Sequence, residues 1–448
     1  MAAATASAVA AAAARPPSLR ALRGLRRCAA RLQPQRRHLA QGLPRRAAPL
    51  RPLSAAATAL PRSAIREVMD MAWALERDGT GEPVLHLEVG QPDFETPPEC
   101  VTAARLALEE PRMQKYIPNA GIPELRAGIA RYYAEQRLRP GSRAALSEDR
   151  VLVSHGGVCA MAAAFMATLD PGDEVLIPDP SWPNYEMAAR LFGPGRPVPY
   201  RLDPDRGWMP DLEDVRRSVT ERTKVLLICS PSNPTGAVLD EVAMQGLLDI
   251  AMENGLYVVS DEIYSALNFS EGYPQSISAL DCEHDPRATM VVSGVSKAWA
   301  MTGFRVGWLI ADPDVVTLGA KLQEAFISCG VPAAQRAALA ALEDPALPDQ
   351  VRAMVSRYHH RRDLALDVLR RYGLESYEPG GAMYILVPCG QAGDDTPAFC
   401  RRLLDKRRVA VSPGTTFGAN SSRHVRISFG AADDVVEEGI DRRSLCKG

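Results

Sequence analysis

Lys297 stands at the end of a small-residue stretch, Ser293-Gly294-Val295-Ser296. Directly ahead of it runs Thr289-Met290-Val291-Val292, short and apolar, with the texture of a buried strand. Arg305 follows eight positions after the lysine and precedes a second such run, Val306-Gly307-Trp308-Leu309-Ile310. A lysine held among apolar and small groups loses its proton readily, and a neutral amine condenses with an aldehyde. An arginine beside it can grip a phosphate with a fork of N–H donors. Spacing alone leaves a plainer reading open, a solvated lysine and arginine on one loop.

Other polar residues recur at the ends of predicted strands. Val151-Leu152-Val153-Ser154 runs into His155-Gly156-Gly157-Val158 and then a helical stretch from Cys159 to Leu169. Free backbone N–H groups at such a helix start form an anion site. Val225-Leu226-Leu227-Ile228-Cys229 ends in Ser230-Pro231-Ser232-Asn233-Pro234-Thr235-Gly236, a turn by its Asn-Pro and Gly. Leu256-Tyr257-Val258-Val259-Ser260 ends in Asp261-Glu262-Ile263-Tyr264. Val84-Leu85-His86-Leu87 reads as a strand entering Glu88-Val89-Gly90-Gln91-Pro92-Asp93-Phe94, and His424-Val425-Arg426-Ile427-Ser428-Phe429 as an alternating strand that carries an arginine. Strands alternating with helical stretches through 101–338 give an α/β sheet of parallel type with ligand residues at strand ends.

Taken whole, Ser293 to Trp308 resembles the Schiff-base segment of the class I/II aminotransferases, the fold-type-I enzymes that use pyridoxal 5'-phosphate. Further motifs follow in that family's order from about Leu87 to Phe429. The resemblance implies a large domain with a mostly parallel, seven-stranded-type sheet between helices, plus a smaller α+β domain built from the N- and C-terminal segments. It implies that Lys297 forms the Schiff base and moves the proton, that Asp261 faces the pyridine nitrogen, and that Asn233 and Tyr264 donate to the ring oxygen O3′. Trp182 would lie flat on the ring, where indole stacks well. The turn at Gly157 and Val158, with Arg305, would hold the phosphate. Gly90 would let the backbone approach the substrate carboxylate, and Arg426 would take that carboxylate bidentately. Tyr116, in Tyr116-Ile117-Pro118-Asn119-Ala120-Gly121, would reach the phosphate of the neighbouring subunit, which implies a homodimer with shared active sites.

The implied reaction moves an amino group from an L-amino acid to a 2-oxo acid by a ping-pong route. Alternatives are a lyase or synthase on the same fold, a transcription regulator carrying the fold, and a non-catalytic cofactor-binding protein. Two departures stand out. Val158 replaces a family Ser or Lys, which removes a phosphate contact; lysine there is frequent in the aspartate/prephenate branch, so an acidic second substrate is put in doubt. Gly294 replaces a serine found three residues before the lysine in many relatives, with Ser293 or Ser296 as substitutes.

The surrounding chain sets limits. Residues 1–60 hold eleven arginines and no Asp, Glu or Lys, so the rest of the chain stands at −13 against −2 for the whole. That leader has the composition of a transit peptide, with Leu19, Leu22 and Leu25 a turn apart beside Arg20, Arg23 and Arg27; its scarce serine favours a mitochondrion over a plastid. An acidic body argues against nucleic acid as a partner. No apolar run is long enough to span a bilayer. The nine scattered cysteines contain no CxxC and the histidines no HExxH, which points to free thiols and no metal site. The expected division is 1–60 leader, 61–100 the N-terminal part of a small domain, 101–338 a large cofactor-binding domain, and 339–448 the C-terminal small domain.

Overall fold

The fold is built on the carboxyl edge of one large sheet. In the computed structural model, residues 51–54, 58, 60, 63–79, 81–142, 144–270, 275–389 and 395–444 are described. The leader up to residue 50, with its proposed amphipathic helix, lies outside them, as do Cys28 and Cys446.

In chain order the elements are α1 (Ala64–Arg77), β1 (Leu85–His86), α2 (Pro98–Glu109), α3 (Pro123–Tyr132), β2 (Val151–Ser154), α4 (Gly157–Thr168), β3 (Glu174–Asp179), α5 (Asn184–Phe192) and β4 (Arg196–Asp203). Then come β5 (Met209–Pro210), α6 (Leu212–Ser218), β6 (Thr223–Cys229), α7 (Glu241–Glu253), β7 (Tyr257–Asp261), β8 (Thr289–Gly294), β9 (Gly307–Ile310), α8 (Pro313–Phe326) and α9 (Pro332–Glu343). The last are α10 (Leu347–Arg371), β10 (Tyr384–Pro388), α11 (Thr396–Arg407), β11 (Val409–Ala410), β12 (Ser412–Pro413), β13 (His424–Ser428) and α12 (Asp433–Ser444).

Eight strands form the large sheet in the order β2-β9-β8-β7-β6-β3-β4-β5. β4, β3, β6, β7 and β8 run parallel, and β9 is reversed between β8 and β2. The continuous apolar runs of β3, β6, β7 and β8 follow from this, since a parallel sheet covered by helices buries both faces of its inner strands. β2, β8 and β9 are buried along their whole lengths. The expected seven strands are present with one addition, the two-residue β5, which hooks back antiparallel onto Leu202 and Asp203 of β4. A Met-Pro pair carries no alternation, so nothing in the sequence marks it as a strand.

Register places the functional strand ends side by side. Asp261 pairs with Cys229 of β6 on one side and Val292 of β8 on the other, while Gly307 opposes both Gly294 and Ser154. α4 is apolar on all sides because it is buried on all sides, against β8 and β9 on one flank and α5 and α8 on the other.

A second, three-stranded antiparallel sheet runs β10-β13-β12 and holds Arg426 opposite Leu386 and Ser412. β1 pairs in parallel with β11, joining the N-terminal segment to the C-terminal one; it covers Leu85 and His86, shorter than the four residues expected. Arg361 of α10 adds a clamp. It donates to both Asp93 carboxylate oxygens (2.6 and 2.8 Å) and to Asp433 (2.8 Å). The strand-to-turn segment around Gly90 is thereby tied to α10 and α12. Leu60–Gly448 forms one compact unit, and none of its described helices is long and apolar enough to cross a membrane.

Candidate active site

Lys297 leaves the sheet three residues past β8. Its Nζ donates to the carbonyl of Gly90 and lies 5.7 Å from the centre of the Tyr264 ring. The side chain keeps some surface open, yet protein surrounds the amine. Burial lowers its pKa to about 8, and the positive charges of Arg426 and Arg305 push in the same direction against a weaker pull from Asp261. A usable fraction of neutral amine near neutral pH is the result, as the sequence suggested.

Asp261, 5 % exposed, closes β7. Tyr185 Oη donates to its Oδ2 at 2.7 Å, and the Ile263 N–H donates to Oδ1 at 3.1 Å. Burial raises its pKa to about 6 even so, because the two donors only partly offset the loss of water. A buried carboxylate in this condition is suited to a cationic N–H placed opposite it. The neighbouring Glu262 turns the other way and pairs with buried Arg137 at 2.6 Å.

Arg426 is 2 % exposed and, among the described residues, pairs with no carboxylate. One Nη donates to Asn233 Oδ1 at 3.0 Å; the other donates to the Glu88 carbonyl and, at 3.5 Å, to Ser412 Oγ. Its guanidinium carbon lies over the rings of Tyr384 (4.4 Å to the centre) and Phe417 (4.8 Å), and its buried Nε has no hydrogen-bond partner. A desolvated cation with an unused donor is costly unless an anion joins it. The fixed, planar guanidinium is suited to a carboxylate.

A fourth feature is the glycine cradle at the start of α4. Gly156 has φ +81°, open to glycine and strained for other residues, and a side chain there would run into Arg305 Nη2. Across from it, any Cβ on Gly307 would strike the backbone of Gly156 and Gly157. Arg305 itself is exposed, sits at φ +55°, and donates to the Thr302 carbonyl at 3.0 Å. The bare N–H groups of α4 and this guanidinium make a cup fitted to a phosphate. Val158 lies in that first turn and adds no polar group. Gly294 has a physical reason: a Cβ there would lie 2.8 Å from the Val306 carbonyl and 2.9 Å from Gly307 Cα. Ser293 does not stand in for the missing hydroxyl, since it is buried and donates to the Glu262 carbonyl at 3.3 Å.

Most of the sequence-level candidates are thus linked through contacts. Lys297 reaches Gly90 and Tyr264, Tyr264 reaches Tyr384, Tyr384 reaches Arg426, and Arg426 reaches Asn233. Half-buried Trp182 meets Tyr185 edge to face at 5.5 Å, and Tyr185 meets Asp261. Tyr116 is apart from this chain of contacts, 88 % exposed. Sequence reasoning gave no role to Tyr185, Tyr384 or Phe417. Only their places inside motifs, three residues after Trp182, three after Gly381 and three after Gly414, could have flagged them.

A buried lysine with a lowered pKa, a cup suited to a phosphate, a buried acid and a desolvated arginine fit pyridoxal phosphate and an amino acid together. Comparison with known proteins agrees. The family model "Aminotransferase class I and II" matches residues 82–442. The aspartate/prephenate aminotransferase of Thermus thermophilus is 36% identical over 397 residues, covering 88% of this chain and 98% of the relative. The (5-formylfuran-3-yl)methyl phosphate transaminase of Methanocaldococcus jannaschii is 32% identical over 377 residues, covering 84% and 95%. Among solved structures, the Thermus thermophilus aspartate aminotransferase with maleate superposes with a TM-score of 0.81 at 35% identity, covering 88% of this chain and 100% of that one. With site and ancestry in agreement, the chain belongs to the class I and II aminotransferases, enzymes that move amino groups between amino acids and 2-oxo acids with pyridoxal phosphate.

Proposed function

We propose that the two substrates take turns on Arg426, and that its buried, unshared Nε is the observation that carries this assignment. Their α-carboxylates approach that edge while Asn233 and the Glu88 carbonyl fix the rest of the guanidinium. Pyridoxal phosphate, when bound, supplies the aldehyde and an electron-withdrawing ring. Lys297 Nζ would serve as the base that takes the proton from substrate Cα and holds it for return. Asp261 would keep a proton on the cofactor's ring nitrogen, with Tyr185 holding the carboxylate in place. Tyr264 and Asn233 donate to the ring oxygen, Trp182 covers the ring, and the Gly157–Val158 turn with Arg305 holds the phosphate. Arg426→Lys keeps charge but loses the planar fork. KM for both substrates should rise ~10- to 100-fold, the scale of one charge-assisted hydrogen bond, with cofactor binding unchanged. An unaltered KM would remove Arg426 from the role.

The finer identity rests on position 158. The Thermus relative is named for aspartate and prephenate, yet Val158 offers no cation to a second carboxylate. Donors with uncharged side chains should therefore match or exceed aspartate in kcat/KM, and a clear aspartate preference would contradict this. The enzyme works as a homodimer in which Tyr116 serves the partner's phosphate cup; its 88 % exposure in the single chain supports this. Residues 61–100 and 339–448 together make the smaller domain, supported by the β1–β11 pairing, and 101–338 the larger. The acid-free leader directs the chain to an organelle matrix, the mitochondrion ahead of the plastid. A reporter carrying residues 1–60 that stays in the cytosol would sink that assignment.

A further inference from the structure

Tyr384, in β10, touches three of these side chains or their partners at once. Its Oη lies 2.6 Å from Tyr264 Oη, with the two rings edge to face at 82°. Its ring carries the Arg426 guanidinium at 4.4 Å. Its hydroxyl also occupies the space that a Cβ on Gly90 would need, and the Gly90 carbonyl is the acceptor for Lys297 Nζ. The whole side chain is buried, at 2 % exposure.

A phenol has one hydrogen to give. Two phenols at 2.6 Å share one hydrogen bond, so one of them donates and the other accepts. If Tyr264 spends its hydrogen on the ring oxygen of the cofactor, only Tyr384 can supply the hydrogen between them. We propose that Tyr384 is a positioning residue: its hydroxyl donates to Tyr264 Oη, which aims and strengthens Tyr264 as a donor, while its ring holds the face of Arg426. The inference rests on the role proposed for Tyr264. Hydrogen bonds in series polarise one another, so one residue of the small sheet tunes the cofactor's ring oxygen and the substrate's carboxylate site together.

A donor on the ring oxygen stabilises its anion. Weakening that donor raises the pH at which the absorbance of the bound cofactor changes form. The ionisable groups facing the tyrosine pair are Lys297, Asp261, Arg426, Cys229 and, from α10, Tyr358, and substitution of a phenol by a phenyl ring leaves all five in place. The test is a pH titration of cofactor absorbance in the holoenzyme for wild type, Y384F, Y264F and the double variant. Y264F should raise the midpoint most. Y384F should raise it by about 0.3–1 pH unit, the scale of one net hydrogen bond. The double variant should match Y264F alone, because the effect passes through Tyr264.

An unmoved midpoint in Y384F beside a raised one in Y264F overturns the relay and leaves the Tyr264 role standing. Unmoved midpoints in both overturn both. Additive shifts show that Tyr384 acts by another route and also overturn the relay. Y384L separates the ring from the hydroxyl. It should weaken 2-oxo acid binding by ~2- to 30-fold relative to Y384F, the span of a cation–π contact, and equal binding in the two variants would remove the ring from its part.

Discussion

At the scale of single residues, the site works by taking charges out of water and leaving each one a specific unmet need. Lys297 is surrounded by protein and near two arginines, so its amine loses the proton near pH 8. Below that pH the protonated amine cannot attack an aldehyde. Covalent uptake of pyridoxal phosphate by cofactor-free enzyme should therefore rise ~10-fold per pH unit up to about 8 and level off above it. Stopped-flow absorbance measures this, and a rise continuing beyond pH 10 would show an ordinary lysine. The reactive residues were legible because each sits in a short motif at a strand end, where the neighbours in sequence announce the turn. Tyr384 and Tyr185 were not. Tyr384 finds its hydroxyl partner 120 positions away, and Tyr185 finds Asp261 76 positions away; local pattern gives a tyrosine in a strand or a helix and nothing about its partner.

At the scale of elements, close backbone approach sets what the sequence can tolerate. β8 and β9 meet at Gly294 and Gly307, and Gly307 also presses on the turn that opens α4. The cup for the phosphate therefore exists only while three glycine positions remain bare. Restoring the hydroxyl common in relatives, by Gly294→Ser, should not improve cofactor binding. The added Cβ meets backbone rather than a movable side chain, so the variant should lose about 1–3 kcal/mol of stability, as overpacked sites do. Denaturant unfolding of the holoenzyme checks this, and an equally stable variant with tighter cofactor binding would show that the strands can separate. The parallel strands β6, β7 and β8 were readable from their unbroken apolar runs; β4 was not, since its arginines and prolines leave no apolar run and it is largely unburied. β5 was not, being two residues held only by its pairing with β4.

At the scale of the whole molecule, the chain brings two sheets to one site. The large sheet contributes Lys297, Asp261, Tyr264 and the phosphate cup from its carboxyl edge, and the small sheet contributes Arg426 and Tyr384. Tyr116 is 88 % exposed and takes no part in that site within its own chain; the proposed homodimer would give it a place in the partner's. Mixing Lys297→Ala subunits with Tyr116→Phe subunits gives hybrid dimers. In these one site inherits both lesions and the other inherits neither, so activity should recover beyond that of either parent. No recovery in verified hybrids would mean that each subunit works alone. The order of the site motifs along the chain was legible because family motifs keep their sequence; the pairing of β1 with β11 was not, since two-residue strands so far apart carry no pattern of their own.

The central claim is that this site exchanges an amino group through Lys297 and Arg426 with cofactor in place. The most direct measurement is an absorbance scan of the purified holoenzyme before and after adding single amino acids with no 2-oxo acid present. The account predicts that the visible band of lysine-bound cofactor bleaches to the amine form with at least one amino acid, returns on adding a 2-oxo acid, and is missing in Lys297→Ala. A visible band that no amino acid bleaches, or a spectrum unchanged by Lys297→Ala, would contradict it.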